Sequence, residues 1–275
     1  MGAVHVNKIL FGLYIPGHSF IHRMDPRAKL ILSLVYIVAV FLANSWAAYL
    51  ASFVLAMVII AASAIGSRFF WDGVKPLIGV ILLTMIIQVF FGVGGHVYWH
   101  WGILSITSNG LLNAVYIAIR FILIILVSTV LTLTTSPLEI SGAIEAIFMP
   151  LKKVHFPVYE MALMLSIALR FVPTLIDETE KILNAQRSRG ADFSSGSILV
   201  RLKKLVAILI PLFESAFSRA EELATAMESR GYQGGEGRSK YRVLNYTKND
   251  IIGTVTMLLA AVVIIALRRW GWHAL

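Results

Sequence analysis

The stretch Leu111-Leu-Asn-Ala-Val-Tyr-Ile-Ala-Ile-Arg120-Phe-Ile-Leu-Ile-Ile-Leu-Val-Ser-Thr-Val130-Leu-Thr-Leu133 decides what kind of protein this is. It holds one charged residue, Arg120. As a helix it measures about 34 Å, enough to cross the roughly 30 Å hydrocarbon layer of a bilayer. Four further apolar runs lie at 30–43, 46–65, 76–93 and 251–267, the first of them short. Asn44 and Ser45 separate the first two and mark a tight turn. The whole chain agrees with this reading. Its 275 residues are 58% hydrophobic and 14% charged, with a mean hydropathy of +0.79. Soluble domains carry about a quarter charged residues, so much of this surface must face lipid. The expected fold class is an all-α, polytopic membrane protein with about five transmembrane helices.

Lys and Arg accumulate on the cytoplasmic flanks of such helices. Arg23, Arg27 and Lys29 precede the first run, and Arg68 and Lys75 lie between the second and third. Residues 94–110 hold no Lys, Arg, Asp or Glu. This pattern predicts a cytoplasmic N-terminus and an external aromatic loop at 98–101. It leaves Arg268 and Arg269 outside, a departure from the rule. The net charge of +9 fits basic flanks on anionic lipid. Nucleic acid is not expected as a partner, because no basic stripe with interleaved aromatics occurs. Cys is absent, which excludes disulfides, thiolate nucleophiles and Cys-ligated metals. The first eleven residues lack the long apolar core of a secretory signal and are expected to be retained.

The segment 135–250 differs from the rest. It carries 13 of the 15 acidic residues and 15 of the 24 Lys and Arg, yet 158–169 and 198–213 are strongly apolar. Long amphipathic helices at or under the membrane reconcile these facts. Arg201, Lys203 and Lys204 beside Leu199, Leu202 and Leu205 fit such a helix. The expected organisation is therefore transmembrane helices in 1–134, a cytoplasmic domain in 135–250 and a final transmembrane helix in 251–275. Within the cytoplasmic segment Glu180-Lys-Ile-Leu-Asn-Ala185-Gln-Arg-Ser188-Arg189-Gly190 echoes Glu221-Glu-Leu-Ala-Thr-Ala226-Met-Glu-Ser229-Arg230-Gly231. Each stretch reads as a helix closed by a left-handed Gly, with a Pro upstream (Pro173, Pro211). Each presents an Arg where the helix dipole favours positive charge. That placement serves helix stability by itself, but two equivalent arginines at two tips point to two similar receiving sites on partners. A guanidinium engages a carboxylate bidentately, which Lys does not reproduce.

Catalytic and nucleotide motifs are missing. No Gly-rich loop ending in Gly-Lys-Ser/Thr occurs, so ATP is not bound in the P-loop manner. No His-Glu-x-x-His or Gly-x-Ser-x-Gly occurs either. The pairs His18/His22 and His96/His100 have the i, i+4 spacing of helical metal ligands. They lack a third ligand nearby, apart from Asp25 near the first pair. No metal or cofactor is expected. Arg120 is the one charge deep in an apolar run, which argues for function or for snorkelling toward an interface. Gln88 is a candidate interhelical hydrogen-bonding residue.

At these residues the chain resembles the transmembrane coupling component (EcfT) of energy-coupling factor transporters, over nearly its whole length. The opening Tyr14-Ile-Pro-Gly-His-Ser-Phe-Ile-His22-Arg23-Met-Asp25-Pro26-Arg27-Ala-Lys29-Leu30 is similar to the family's opening signature. Thr134-Thr-Ser-Pro137-Leu-Glu139, Pro150-Leu-Lys152 and Ala168-Leu-Arg170-Phe171-Val-Pro173 resemble its middle. Ser188-Arg189-Gly190 and Ser229-Arg230-Gly231 match its most specific feature, with Ser in both where the family commonly has Ala. The resemblance implies an L-shaped molecule in the cell membrane of a prokaryote. It implies that two cytoplasmic ABC-type ATPases each receive one tip arginine, and that a separate small membrane protein, the S component, captures a vitamin or transition-metal ion. On that reading the chain is not an enzyme and binds no small-molecule substrate itself. Arg189, Arg230, Ser188, Gly190, Ser229 and Gly231 are the ATPase-binding candidates, while Asp25, Arg27 and Arg120 are structural or intramembrane polar candidates.

Two other readings compete. A conventional ABC importer permease has its own polar substrate path, hinted at here only by Arg120 and Gln88, and usually one coupling helix per chain. An intramembrane hydrolase or transferase needs clustered acids, bases or ligands at membrane depth, and the apolar runs hold almost none.

Overall fold

A computed structural model describes residues 14–101, 104–154, 156–191, 193, 197–234 and 245–270. The chain divides into two compact units, one of Met1–Ala143 with Arg242–Leu275 and the other of Ile144–Tyr241.

The first unit is a helical bundle. Its helices are α1 (Pro26–Leu42), α2 (Trp46–Ser63), α3 (Ser67–Val74), α4 (Ile78–Phe91), α5 (Ser108–Thr134), most of α6 (Pro137–Phe148), and α9 (Lys248–Trp270). Their starts follow from local chemistry. Asp25 caps α1 by accepting from the Arg27 amide, with Pro26 in the first turn, where a missing N–H costs nothing. Ser45 caps α2 by accepting from the Ala48 amide, and Thr107 caps α5 by accepting from the Gly110 amide. Around Pro76 a three-residue 3-10 turn, Lys75–Leu77, joins α3 to α4. The third apolar run is thereby extended back to Ser67, making a continuous 25-residue span.

Helix α5 is the post against which α1, α2, α3 and α4 pack, and α9 lies on α1 and α2. The α2 face toward this core reads Ala48, Ser52, Ala56, all fully buried. Small residues every fourth position let helices approach closely where no water drives them together. Tyr36 fills the space opposite and donates to the Ser52 carbonyl at 3.0 Å. The outer faces of α4 and α9 stay apolar and exposed, for example Leu83, Ile86, Leu259 and Val262, as lipid contact requires.

Five described helices are long and apolar enough to cross a membrane: Trp46–Ser63, Ser67–Phe91, Ser108–Thr134, Val158–Ser188 and Lys248–Leu267. The membership differs from the sequence expectation. The run at 30–43 falls in α1, whose 17 residues make about 25 Å, short of a full crossing. Val158–Ser188 qualifies instead, because its first half carries few charges.

The uncharged stretch 94–110, expected as a loop, forms a hairpin. Strand β1 (Val97–Trp101) pairs antiparallel with β2 (Leu104–Thr107), with Trp99 opposite Ile106 and an irregularity between Val97 and Trp99. Past the hairpin, α4 and α5 meet at their ends almost backbone to backbone. A Cβ added at Gly92 would lie 2.5 Å from both the Gln88 carbonyl oxygen and the Gly110 Cα. Gly92→Ala is therefore expected to cost about 1–3 kcal/mol through overpacking, read as a lower unfolding midpoint of the purified protein. An unchanged midpoint would show that the two helices separate without cost.

The second unit is a helical hairpin. A 3-10 segment, Met149–Val154, precedes α7 (Val158–Ser188), and α8 (Ile198–Ser229) follows. The two long helices pack on each other, with a cleft of about 360 Å³ lined by Phe171, Leu175, Ala216, Ala220 and Leu223. Arg219 on α8 pairs with Glu178 on α7 at 2.5 Å. Pro173 and Pro211 stand inside the two helices, each deleting one backbone hydrogen bond.

Candidate functional site

Helices α7 and α8 end in the same backbone motif. Arg189 is the C-cap of α7 with φ −84° and ψ 8°, and Arg230 is the C-cap of α8 with φ −90° and ψ 10°. Gly190 and Gly231 follow with φ of +85° and +74°. The Gly190 amide donates to the Arg187 carbonyl at 2.9 Å and the Ala191 amide to the Gln186 carbonyl at 3.0 Å. Gly231 and Tyr232 do the same to Glu228 and Met227, at 2.9 and 3.1 Å. These two bonds define the Schellman motif, which satisfies the last carbonyls of a helix. Ser188 and Ser229 turn their hydroxyls back onto the preceding turn, donating to the Asn184 and Ala226 carbonyls at 3.0 and 3.1 Å.

The backbone thus closes each helix without help from the arginine. Both arginines are exposed, and neither guanidinium has a hydrogen-bonding or ionic partner among the described residues. A cation held at a rigid tip, with five donors unspent, is chemically a plug for an acidic socket. At both glycines a Cβ would meet nothing, but their positive φ is the left-handed region. Gly190→Ala should strain the cap by about 1–2 kcal/mol. The expected result is roughly tenfold faster hydrogen exchange at the amides of residues 190 and 191. Unchanged exchange would show that the tip does not depend on the glycine.

The other sequence candidates fall in the first unit. Asp25, 5% exposed, caps α1, and its own amide donates to Asp250 Oδ1 at 2.6 Å. Asp250, 1% exposed, also accepts from the Thr247 amide at 2.6 Å and the Thr247 hydroxyl at 2.8 Å. Arg27 lies 3.7 Å from Asp25 and stacks its guanidinium 5.7 Å from the Tyr246 ring centroid. Lys29 donates to the carbonyls of Thr134 and His22 at 2.9 and 3.3 Å, so one buried cation ties the end of α5 to the start of α1. Sequence reasoning missed Asp250 and Lys29 as a pair of anchors. Thr247-x-x-Asp250 ahead of an apolar run was the available signal, since that spacing is a capping box.

His22 takes its place in the same knot. Its Nε2 faces the Ile15 carbonyl at 3.0 Å and its Nδ1 faces the Ser19 hydroxyl at 2.6 Å. The carbonyl only accepts, so Nε2 carries the proton and Nδ1 accepts from Ser19. His96 and His100 lie at and within the hairpin strand β1, where positions four apart stand about 13 Å from each other. Their helical spacing does not translate into proximity. Arg120 on α5 reaches the turn between α1 and α2.

A bundle of apolar helices, with five described helices long and apolar enough to cross a bilayer, is the build of a multi-pass membrane protein. Comparison with known proteins places it further. The family described as cobalt transport protein, CbiQ, matches residues 17–241. The chain is 53% identical to the energy-coupling factor transporter transmembrane protein EcfT of Lacticaseibacillus paracasei, over 96% of this chain and 100% of that protein. It is 54% identical to the protein of that name from Lactobacillus helveticus, over 92% of each, and 47% identical to that of Streptococcus equi, over 96% and 98%. The chain belongs to the CbiQ/EcfT family of transporter transmembrane proteins.

Proposed function

We propose that this chain is the coupling subunit of an ATP-driven importer in the cell membrane. Two ABC-type ATPases bind it from the cytoplasm, one on each arginine tip. Arg189 enters a groove on one and Arg230 a groove on the other, with Ser188, Gly190, Ser229 and Gly231 shaping the tips. A separate small membrane protein, the S component, holds the substrate, a vitamin or a transition-metal ion. In this reading the N-terminus and both tips are cytoplasmic, residues 135–250 form the coupling domain between the helices of 1–134 and 251–275, and ATP is hydrolysed on the partners.

The observation that carries the proposal is the identity of the two caps. Two helix ends with nearly the same cap dihedrals, the same pair of Schellman hydrogen bonds and an unpartnered arginine among the described residues fit two copies of one receiving surface. Two like ATPases supply that. A second observation supports the S component. Leu202, Val206, Ile210, Phe213 and Phe217 of α8 form an exposed apolar stripe, far more than a water-facing helix carries singly. It suits the apolar flank of another membrane protein.

The test is a pull-down from detergent-solubilised membranes. The wild-type chain is expected to bring down two ATPases and one small membrane protein. Arg189→Glu with Arg230→Glu should lose the ATPases and keep the membrane protein. A wild-type chain that comes down alone and binds a small molecule by itself would sink the proposal.

A further inference from the structure

Helices α1 and α2 have 17 and 18 residues, about 25–27 Å. Helix α5, with 27 residues, is about 40 Å long. The end of α5 at Thr134 is level with Lys29 in the first turn of α1. The turn between α1 and α2, with Asn44 and Ser45, therefore stops below the far end of α5. At that level α5 carries Arg120, about 21 Å from Thr134. Its Nη2 donates to the Tyr49 hydroxyl at 2.7 Å and to the carbonyl of Ala43, the C-cap of α1, at 3.4 Å. Its guanidinium lies 5.5 Å from the Phe41 ring centroid and 5.9 Å from that of Tyr49. Tyr49 stacks on Tyr116 at 4.9 Å, and the Trp46 ring lies tilted 4.9 Å from Tyr116.

This arrangement leaves donors unspent. Arg120 Nε and the Tyr116 hydroxyl are buried without a hydrogen-bond partner. No carboxylate pairs with Arg120 among the described residues. A guanidinium keeps its charge in proteins, and an uncompensated charge at membrane depth is costly. Its surroundings are greasy rather than aqueous: Phe41, Trp46 and Leu50 are 56%, 53% and 65% exposed. The missing anion must therefore reach the site with an apolar body attached.

We propose that Arg120 and the recessed α1–α2 turn form a binding site for the phosphate of an anionic phospholipid. The headgroup is drawn down into the notch left by the short helices, and its acyl chains lie along Phe41, Trp46 and Leu50. A phosphate accepts from a guanidinium through two parallel bonds, and the exposed amide of Asn44 stands at the mouth. The mismatch in helix length supplies the room, since bilayers thin locally around short spans.

The experiment is native mass spectrometry of the full chain, purified from nanodiscs of phosphatidylcholine containing phosphatidylglycerol. Wild type is expected to retain one phosphatidylglycerol, and Arg120→Gln roughly tenfold less. Tyr49→Phe, which keeps the charge and removes the competing hydroxyl, should retain it at least as well as wild type. Unfolding midpoints give the second readout: phosphatidylglycerol should raise the wild-type midpoint above that in phosphatidylcholine alone. Wild type without a retained phosphatidylglycerol overturns the proposal, even where Arg120→Gln fails to fold. Retention unchanged in Arg120→Gln overturns it too. A midpoint raised equally by inorganic phosphate in pure phosphatidylcholine would assign the site to a free anion and overturn the lipid reading.

Discussion

Uptake driven by ATP is expected to fall to background when Arg189→Glu and Arg230→Glu are combined in the assembled transporter, with the chain still folded. The separation of the two effects follows from the caps. Each guanidinium is exposed and has no partner within the described residues, and the Schellman bonds close each helix through the backbone. Changing an exposed, unpartnered side chain shifts stability by about 0.5 kcal/mol or less. On the proposed partner the loss would be large. A carboxylate that had exchanged water for a guanidinium would be left unpaired, at about 2–5 kcal/mol per site, and Glu would add repulsion. Each site alone should lower ATPase affinity by roughly 30-fold or more, and Lys should rescue only in part, because it cannot grip bidentately. The measurements are substrate uptake in proteoliposomes and the unfolding midpoint. Uptake at the wild-type rate would remove the arginines from the coupling path.

The largest effect on the fold is expected from Asp250→Ala. The Asp250 carboxylate is buried and takes three donors, the amides of Asp25 and Thr247 and the Thr247 hydroxyl. Alanine strands all three. An unsatisfied buried donor costs about 1–3 kcal/mol, and relaxation recovers some of that, so a loss of about 3–5 kcal/mol is expected. Asp250→Asn should fall between, since its amide nitrogen cannot accept from Thr247. The readout is the unfolding midpoint in detergent. A midpoint for Asp250→Ala within about 1 kcal/mol of wild type, converted through the unfolding entropy, would show that the clamp is idle.

Much of this architecture was legible in the residues because lipid enforces simple rules. The run 111–133 became α5 with three residues added at its start and one at its end, and 46–65 became α2 with two residues fewer. The two helix ends were legible too, since Gly adopts the left-handed turn that ends both helices more readily than any other residue. Other features escaped for physical reasons. In strand β1 the period of two is masked because Tyr98, Trp99 and Trp101 are all aromatic, and the alternation Leu104-Ser105-Ile106-Thr107 of β2 runs for only four residues. The site around Arg120 needed Tyr49 and Tyr116 to be brought together by packing. Asp25 and Asp250 stand 225 positions apart, and no local pattern joins them.

That separation has a temporal meaning. The first helix leaves the ribosome with its opening amide unanswered, and its counterpart is made 225 residues later. At about 5–20 residues per second, some 225 residues occupy roughly 10–45 s. During that interval the early helices sit in the bilayer as an unlatched set. On arrival α9 then latches onto the start of α1. A nascent chain stopped before Asp250 is thus an open form of the bundle, and emergence of Asp250 is the closing step.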